Sequence, residues 1–275
     1  MKKTILMAAL MGFALTACNS DEKKAGILYQ RAQNAFTACD YSLAKLHIDS
    51  IRMLYPNAFN TRKASIKMMQ QIDLEEQRNT LVYLDSMMQV KQVALDSIKG
   101  NFVLEKDTAY QEIGNYFYPT QVVEKNIGRS FLRAQVNERG EMSLTSIYCA
   151  GGNIHHTAVK VSAGDLSAKT MVSTDSYETT DLGCAIEKAD YKIGEDGDVA
   201  AFIVANQDNR ITLEFIGDRT CKTQMQPNDI KAIVQISDLA HILTGMEEIR
   251  KEQKEANLKI RFVTSKMQEG DTGKE

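Results

Sequence analysis

The chain has 275 residues, with 33 Lys and Arg against 36 Asp and Glu, for a formal net charge of −3. Its 43% apolar and 25% charged content, with 5 Cys, excludes a disordered chain, a collagen-like repeat, a disulfide-dense miniprotein and a polytopic membrane protein. The slightly acidic balance leaves no basic footprint, so no nucleic-acid partner is expected.

Lys2 and Lys3 precede an apolar stretch from Ile5 to Leu15 that is too short to span a bilayer as a mature helix. Small residues Thr16 and Ala17 then lead into Cys18, which completes the order of a secretory signal over residues 1–17. The run Leu15-Thr16-Ala17-Cys18 resembles the lipobox of bacterial lipoproteins. That resemblance implies a Cys18 thioether carrying palmitate-class acyl chains, cleavage before Cys18, and a lipid membrane as partner. Burial of acyl chains anchors at roughly 0.8 kcal/mol per CH₂. Within the tether 18–24, Asp21-Glu22 resembles the surface-export signal of Bacteroidetes lipoproteins; the plainer reading is a solvated spacer. The implied location is the outer membrane, at the cell surface or on the periplasmic face. Asp49-Ser50-Ile51, Asp85-Ser86-Met87, Asp96-Ser97-Ile98 and Asp107-Thr108-Ala109 resemble acceptors for Bacteroidetes O-glycosylation, although three of them lie in helical patterns.

Residues 25–99 read as a helical hairpin followed by a long helix. Leu28, Ala32, Ala35 and Phe36 repeat at helical spacing, Cys39-Asp40-Tyr41 interrupts, and Ala44, Ile48, Ile51 and Leu54 resume until Pro56. This register is similar to one tetratricopeptide repeat, without a second copy to stack on it. From Asn57 to Lys99 there is neither Pro nor Gly, and Leu74, Leu81, Leu84, Met88, Leu95 and Ile98 follow a heptad. Residues 227–268 repeat the pattern through Leu239, Ile242, Met246, Ile249, Ala256, Ile260 and Val263. The two long helices are expected to pair antiparallel as a stalk. A homodimeric coiled coil is the alternative, and Gln77, Lys91 and Gln253 sit awkwardly in a symmetric seam. A tail follows at 269–275.

Between them, residues 100–226 hold most of the glycines and short alternating runs, which predicts an antiparallel β-module, a small sandwich or partly open barrel. Strands are expected at 130–136, 141–148, 155–161, 169–173, 200–205 and 210–215, with Asn137 to Gly140 as a hairpin turn. The fold class is therefore α+β, with the module inserted between N- and C-terminal helices.

Of the remaining cysteines, Cys149, Cys184 and Cys221 are candidates for one disulfide within the module. Cys149 with His155 and His156 lacks the spacing of a metal or thiol-catalytic motif, so no metal, cofactor or catalytic residue is assigned. The acidic run Glu195-Asp196-Gly197-Asp198 lacks calcium-loop spacing. Tyr116, Phe117 and Tyr118 form the one aromatic cluster and are the candidate ligand contacts. The expected function is a non-enzymatic envelope lipoprotein that presents its β-module to a protein or glycan. An assembly subunit using its helices is the alternative, and an envelope hydrolase is the weakest reading.

Overall fold

The computed structural model describes residues 2–181, 183–192 and 194–272, with side chains described between 20 and 269. The signal, the lipobox and Cys18 fall outside the described side chains. The chain forms two compact units, 1–86 with 251–275, and 87–250.

The first unit is helical and comprises α1 (Lys2–Thr37), α2 (Tyr41–Leu54), the first part of α3 (Phe59–Ile98) and the last part of α5 (Pro227–Thr272). The break between α1 and α2 is local chemistry. Cys39 takes a left-handed conformation, and the Asp40 carboxylate caps α2 by accepting from the Leu43 N–H at 2.9 Å. The expected hairpin thus forms, and Ala32 and Ala35 meet Ala44 and Ile48 together with Met68 and Ile72 of α3. Lys45 holds that face from outside through Asp73 and Glu76 at 2.8 and 2.7 Å. On the heptad positions of α3, Leu84 is buried while Leu74, Gln77 and Leu81 are half-buried, and neighbouring Val82 and Tyr83 are exposed. Gln253 of α5 donates to Asp85 of α3 at 2.7 Å, so this polar seam position has a partner.

The second unit holds the β-module with the end of α3 and the start of α5. Its strands are β1 (Val103–Glu105), β2 (Asn115–Phe117), β3 (Phe131–Asn137), β4 (Met142–Ala150), β5 (Ala158–Ala163), β6 (Leu166–Lys169), β7 (Asp175–Asp181), β8 (Cys184–Lys192), β9 (Thr212–Ile216) and β10 (Thr220–Gln224). One helix, α4 (Val199–Ala205), lies between β8 and β9. All pairings are antiparallel, in a six-stranded sheet ordered β1-β2-β3-β4-β8-β7 and a four-stranded sheet ordered β10-β9-β5-β6.

Alternation decides which face is core. Leu132, Ala134 and Val136 of β3 and Leu144 and Tyr148 of β4 point inward, toward Val159, Val161, Leu213 and Phe215 of the smaller sheet. Ile233, Ile236, Leu239, Leu243 and Met246 of α5 and Leu95 of α3 complete that core. Lys91 of α3 lies over Gly245 of α5, where a Cβ would come within 3.0 Å of the Lys91 Cε and Nζ atoms.

Three strand expectations are corrected. Residues 200–205 are helix α4, opened by two successive left-handed residues, Gly197 and Asp198. Residues 169–173 mostly leave the sheet after Lys169, and the strand expected from His155 begins only at Ala158.

Candidate functional site

The outer face of the six-stranded sheet is set by its register. Phe131 of β3 pairs with Ile147 of β4, which pairs with Lys188 of β8. One row along, Cys149 pairs with Ile186, and Ile186 with Thr179 of β7; on the other side lies Arg133 beside Thr145. These residues point away from the core, and the segment Val123 to Arg129 closes over them, leaving a cleft of 490 Å³. That volume lies within the range of ligand pockets.

The floor of the cleft is apolar, made by Phe131, Ile147 and Ile186. Its charged lining is Arg129, Arg133 and Lys188 against one carboxylate, Asp181. Arg129 is already engaged. It pairs with Asp229, donates to Gln226 Oε1 at 3.2 Å, and lies 4.7 Å from the centroid of the Phe131 ring. Arg133 and Lys188 form no ion pair with any of the described residues. The Arg133 guanidinium rests 5.0 Å over the Phe117 ring, and its Nε is buried without a partner. Burial pushes the Arg133 pKa down, against the pull of Asp190 and Glu105. Asn126, only 6% exposed, also lines the cleft. Its Nδ2 donates to the carbonyls of Thr120 and Val122, both at 2.8 Å, which fixes the amide orientation. Its Oδ1 is left as a buried acceptor without a donor.

The aromatic cluster expected to contact ligand sits elsewhere. Tyr116 is 5% exposed within the core, Phe117 is buried under Arg133, and Tyr118 packs edge-on against Phe102. Strand alternation sends Tyr116 inward, and Phe117 supports the Arg133 cation. Phe117 reaches the cleft only through Arg133.

Cys149, Cys184 and Cys221 carry free thiols. The fold brings Cys149 and Cys184 together as diagonal neighbours on the outer face. Burial first, and then the Cys184 thiol, push the Cys149 pKa up. Cys221 lies instead beside the Tyr148 hydroxyl, whose pKa rises through burial and that thiol.

A second constellation, which the sequence reading missed, lies on the opposite face of the same sheet. Ser146 Oγ is 2.8 Å from His156 Nε2, and His156 Nδ1 is 2.8 Å from Glu187 Oε2. The Glu187 carboxylate also accepts the backbone N–H groups of Ile154 (2.6 Å), His155 (3.0 Å) and His156 (2.8 Å). Burial alone would raise the Glu187 pKa, but these donors hold it below the ordinary carboxylate range. Burial lowers the His156 pKa despite Glu187, so the neutral ring donates from Nδ1 and accepts the Ser146 hydroxyl proton at Nε2. The order resembles a hydrolytic triad, but access is missing. Ser146, His156 and Glu187 are 0%, 2% and 1% exposed, and Phe215 lies edge-on to the imidazole at 5.3 Å. Ser146 is thus sealed from solvent in this fold.

His155 points outward, takes a left-handed backbone conformation, and meets Glu178 at 2.9 Å. His155, Glu178 and Glu187 are the described side chains placed to share a cation, with ligand atoms within 4.8 Å of one another. Glu187 already carries three backbone donors and the His156 ring, so a cation there would displace existing bonds. In the acidic run, Glu195 Oε2 accepts the Lys192 N–H, and Asp196 accepts the Ala200 N–H at the start of α4. Glu22, from the export-like pair, accepts both the N–H and the hydroxyl of Thr61 at the start of α3.

No protein-family model matches the chain, and comparison with curated proteins and with solved structures finds no similar one.

Proposed function

We propose that the chain is an exported, non-enzymatic binding protein of the bacterial envelope. Cys18 carries its lipid anchor, and the β-module engages a partner through the cleft on the six-stranded sheet. The observation supporting this reading is the cleft itself: an apolar floor beside two cations that form no ion pair, and a buried acceptor that receives no hydrogen bond, among the described residues. Buried polar atoms without hydrogen-bond partners, Asn126 Oδ1 and Arg133 Nε here, carry a desolvation cost, and clefts lined by such groups are where ligands bind. The sealing of Ser146 and His156 favours binding over hydrolysis.

Replacing Cys18 by Ser is expected to release the protein from membranes, read by fractionation; persistent tight association would refute the anchor. A photo-crosslinker at Ile127 on the cleft is expected to capture a partner in intact cells, and Ile186→Trp, which fills the floor, to abolish the adduct. Adducts unchanged by Ile186→Trp would refute the cleft as the binding site.

A second reading, an assembly subunit using its helices, draws on Val82, Val90 and Val93. These exposed side chains share one face of α3 by their spacing. Crosslinks from Val90 that survive filling of the cleft would favour it.

A further inference from the structure

The geometry points to the carboxyl-terminal peptide of a partner protein, ending in an apolar residue, as the occupant of the sheet cleft. The inference rests on the cleft being the binding site proposed above and names what fills it. Three kinds of group converge on one cavity. Arg133 and Lys188 offer positive charge without ion-pair partners among the described residues. Phe131, Ile147 and Ile186 offer an apolar bed beside them. Asn126 also lines the cavity and carries a buried acceptor, Oδ1, that has no donor among the described residues and whose orientation is fixed by the two bonds of its own Nδ2.

Each demands a different feature of the ligand. The cations ask for an anion, and Arg133, held over Phe117, carries the planar fork suited to a carboxylate. The bed asks for an apolar side chain close to that anion. The Asn126 acceptor asks for a donor, which a simple fatty acid anion lacks and a peptide N–H supplies. A chain terminus carries all three within one residue and the next amide. A neutral sugar offers donors but no anion, and an acidic side chain within a peptide carries its carboxylate on a different Cα from any apolar side chain, whereas a chain terminus holds both on one. Asp181 at the lining opposes the anion and so sets a direction for the test.

The test uses the intact chain in lipid nanodiscs and titrates acetyl-Ala-Ala-Leu as the free acid, as its carboxyl-terminal amide, and with Asp replacing Leu. Free 4-phenylbutyrate serves as an amphipathic acid without an amide. The free acid ending in Leu is expected to bind saturably, with the amide and the Asp peptide weaker by about tenfold or more, the scale of one charge-assisted contact. Arg133→Gln and Lys188→Gln are each expected to weaken it, and Asp181→Asn to tighten it by about threefold through removal of one like charge. Because one variant strengthens binding, loss of folding cannot imitate the pattern. Equal binding of acid and amide, or no effect of Arg133→Gln, overturns the inference while leaving the cleft as a binding site. 4-Phenylbutyrate binding as tightly as the peptide overturns it in favour of a small organic acid. Failure of all four probes to bind overturns it too, while crosslinking from Ile127 reports separately on the cleft.

Discussion

Thr244 Oγ1 donates a hydrogen bond to the carbonyl of Gly140 at 3.0 Å, tying the turn between β3 and β4 to helix α5. Gly140 adopts a φ of 87°, and a Cβ there would lie 2.3 Å from the Thr244 backbone nitrogen. Gly140→Ala is therefore expected to cost roughly 2–5 kcal/mol, combining left-handed strain with overpacking against a helix backbone. Gly245, one residue further along α5, faces only the flexible end of Lys91. Gly245→Ala should gain up to about 1 kcal/mol of helix propensity, because Lys91 can swing aside. Chemical denaturation of both variants checks the contrast, and equal destabilisation would contradict it.

The buried triad-like network gives a second ranking. Ser146→Ala removes the proton donor to His156 Nε2 and is expected to cost about 1–3 kcal/mol. Glu187→Gln breaks up a carboxylate that collects three backbone donors and an imidazole, and should cost more, roughly 3–5 kcal/mol. Thermal denaturation measures the order. Esterase assays of Ser146→Ala should match wild type, since the hydroxyl is sealed from solvent.

Adjacent histidines should leave opposite marks on pH dependence. The His156 pKa is lowered in the fold, first by burial, so in acid the unfolded chain takes up the proton first. Stability from this group is present above the unfolded value of about 6.5 and is lost as pH falls through it. Glu187, also lowered, adds loss of the same sign near and below about 4.3. His155 is raised by its bond to Glu178, so its contribution is present in acid and fades as pH rises through its folded value. His156→Gln should flatten the fall in melting temperature between pH 7.5 and 5.5, and His155→Gln should steepen it. Identical slopes in both variants would contradict the assignment.

The thiols differ in the same measurable way. Exposed Cys39 is expected to alkylate well before Cys149, whose thiolate is disfavoured by burial and by the Cys184 side chain. Oxidation with diamide, which takes up two electrons and two protons, should couple Cys149 to Cys184 and leave Cys221 free. Peptide mapping identifies the pair, and a Cys149–Cys221 bridge would show that the sheet registers differ from those described.

How much of this was legible in the sequence depended on whether the core-facing pattern was apolar. Every heptad position named on the two long helices is buried or half-buried, including the polar members Gln77, Lys91 and Gln253. Strand β8 escaped because its inward face reads Ala185, Glu187, Ala189, Tyr191, and the charge at its centre hides the alternation. Strand β7, exposed along nearly its whole length, has no apolar face to betray it. Residues 200–205 are a short apolar run, and such a run fits a buried strand as well as a short helix; the left-handed entry at Asp198 decides it. The cleft was not legible at all. Its floor is contributed by β3, β4 and β8, so its residues become neighbours only through pairing.

The carboxylate of Glu187 also says something about the order in which the module folds. Three successive N–H groups, at residues 154 to 156, have their main acceptor more than thirty positions away in sequence. That loop has no local instruction for its shape, unlike the β3–β4 turn, whose Asn137 side chain accepts the N–H groups of Arg139 and Glu141. The hairpin can close early, whereas the loop must wait for β8, a long-range event that slows folding. A fragment ending at residue 181 is expected to retain the hairpin by NMR while residues 151–157 lack fixed shifts.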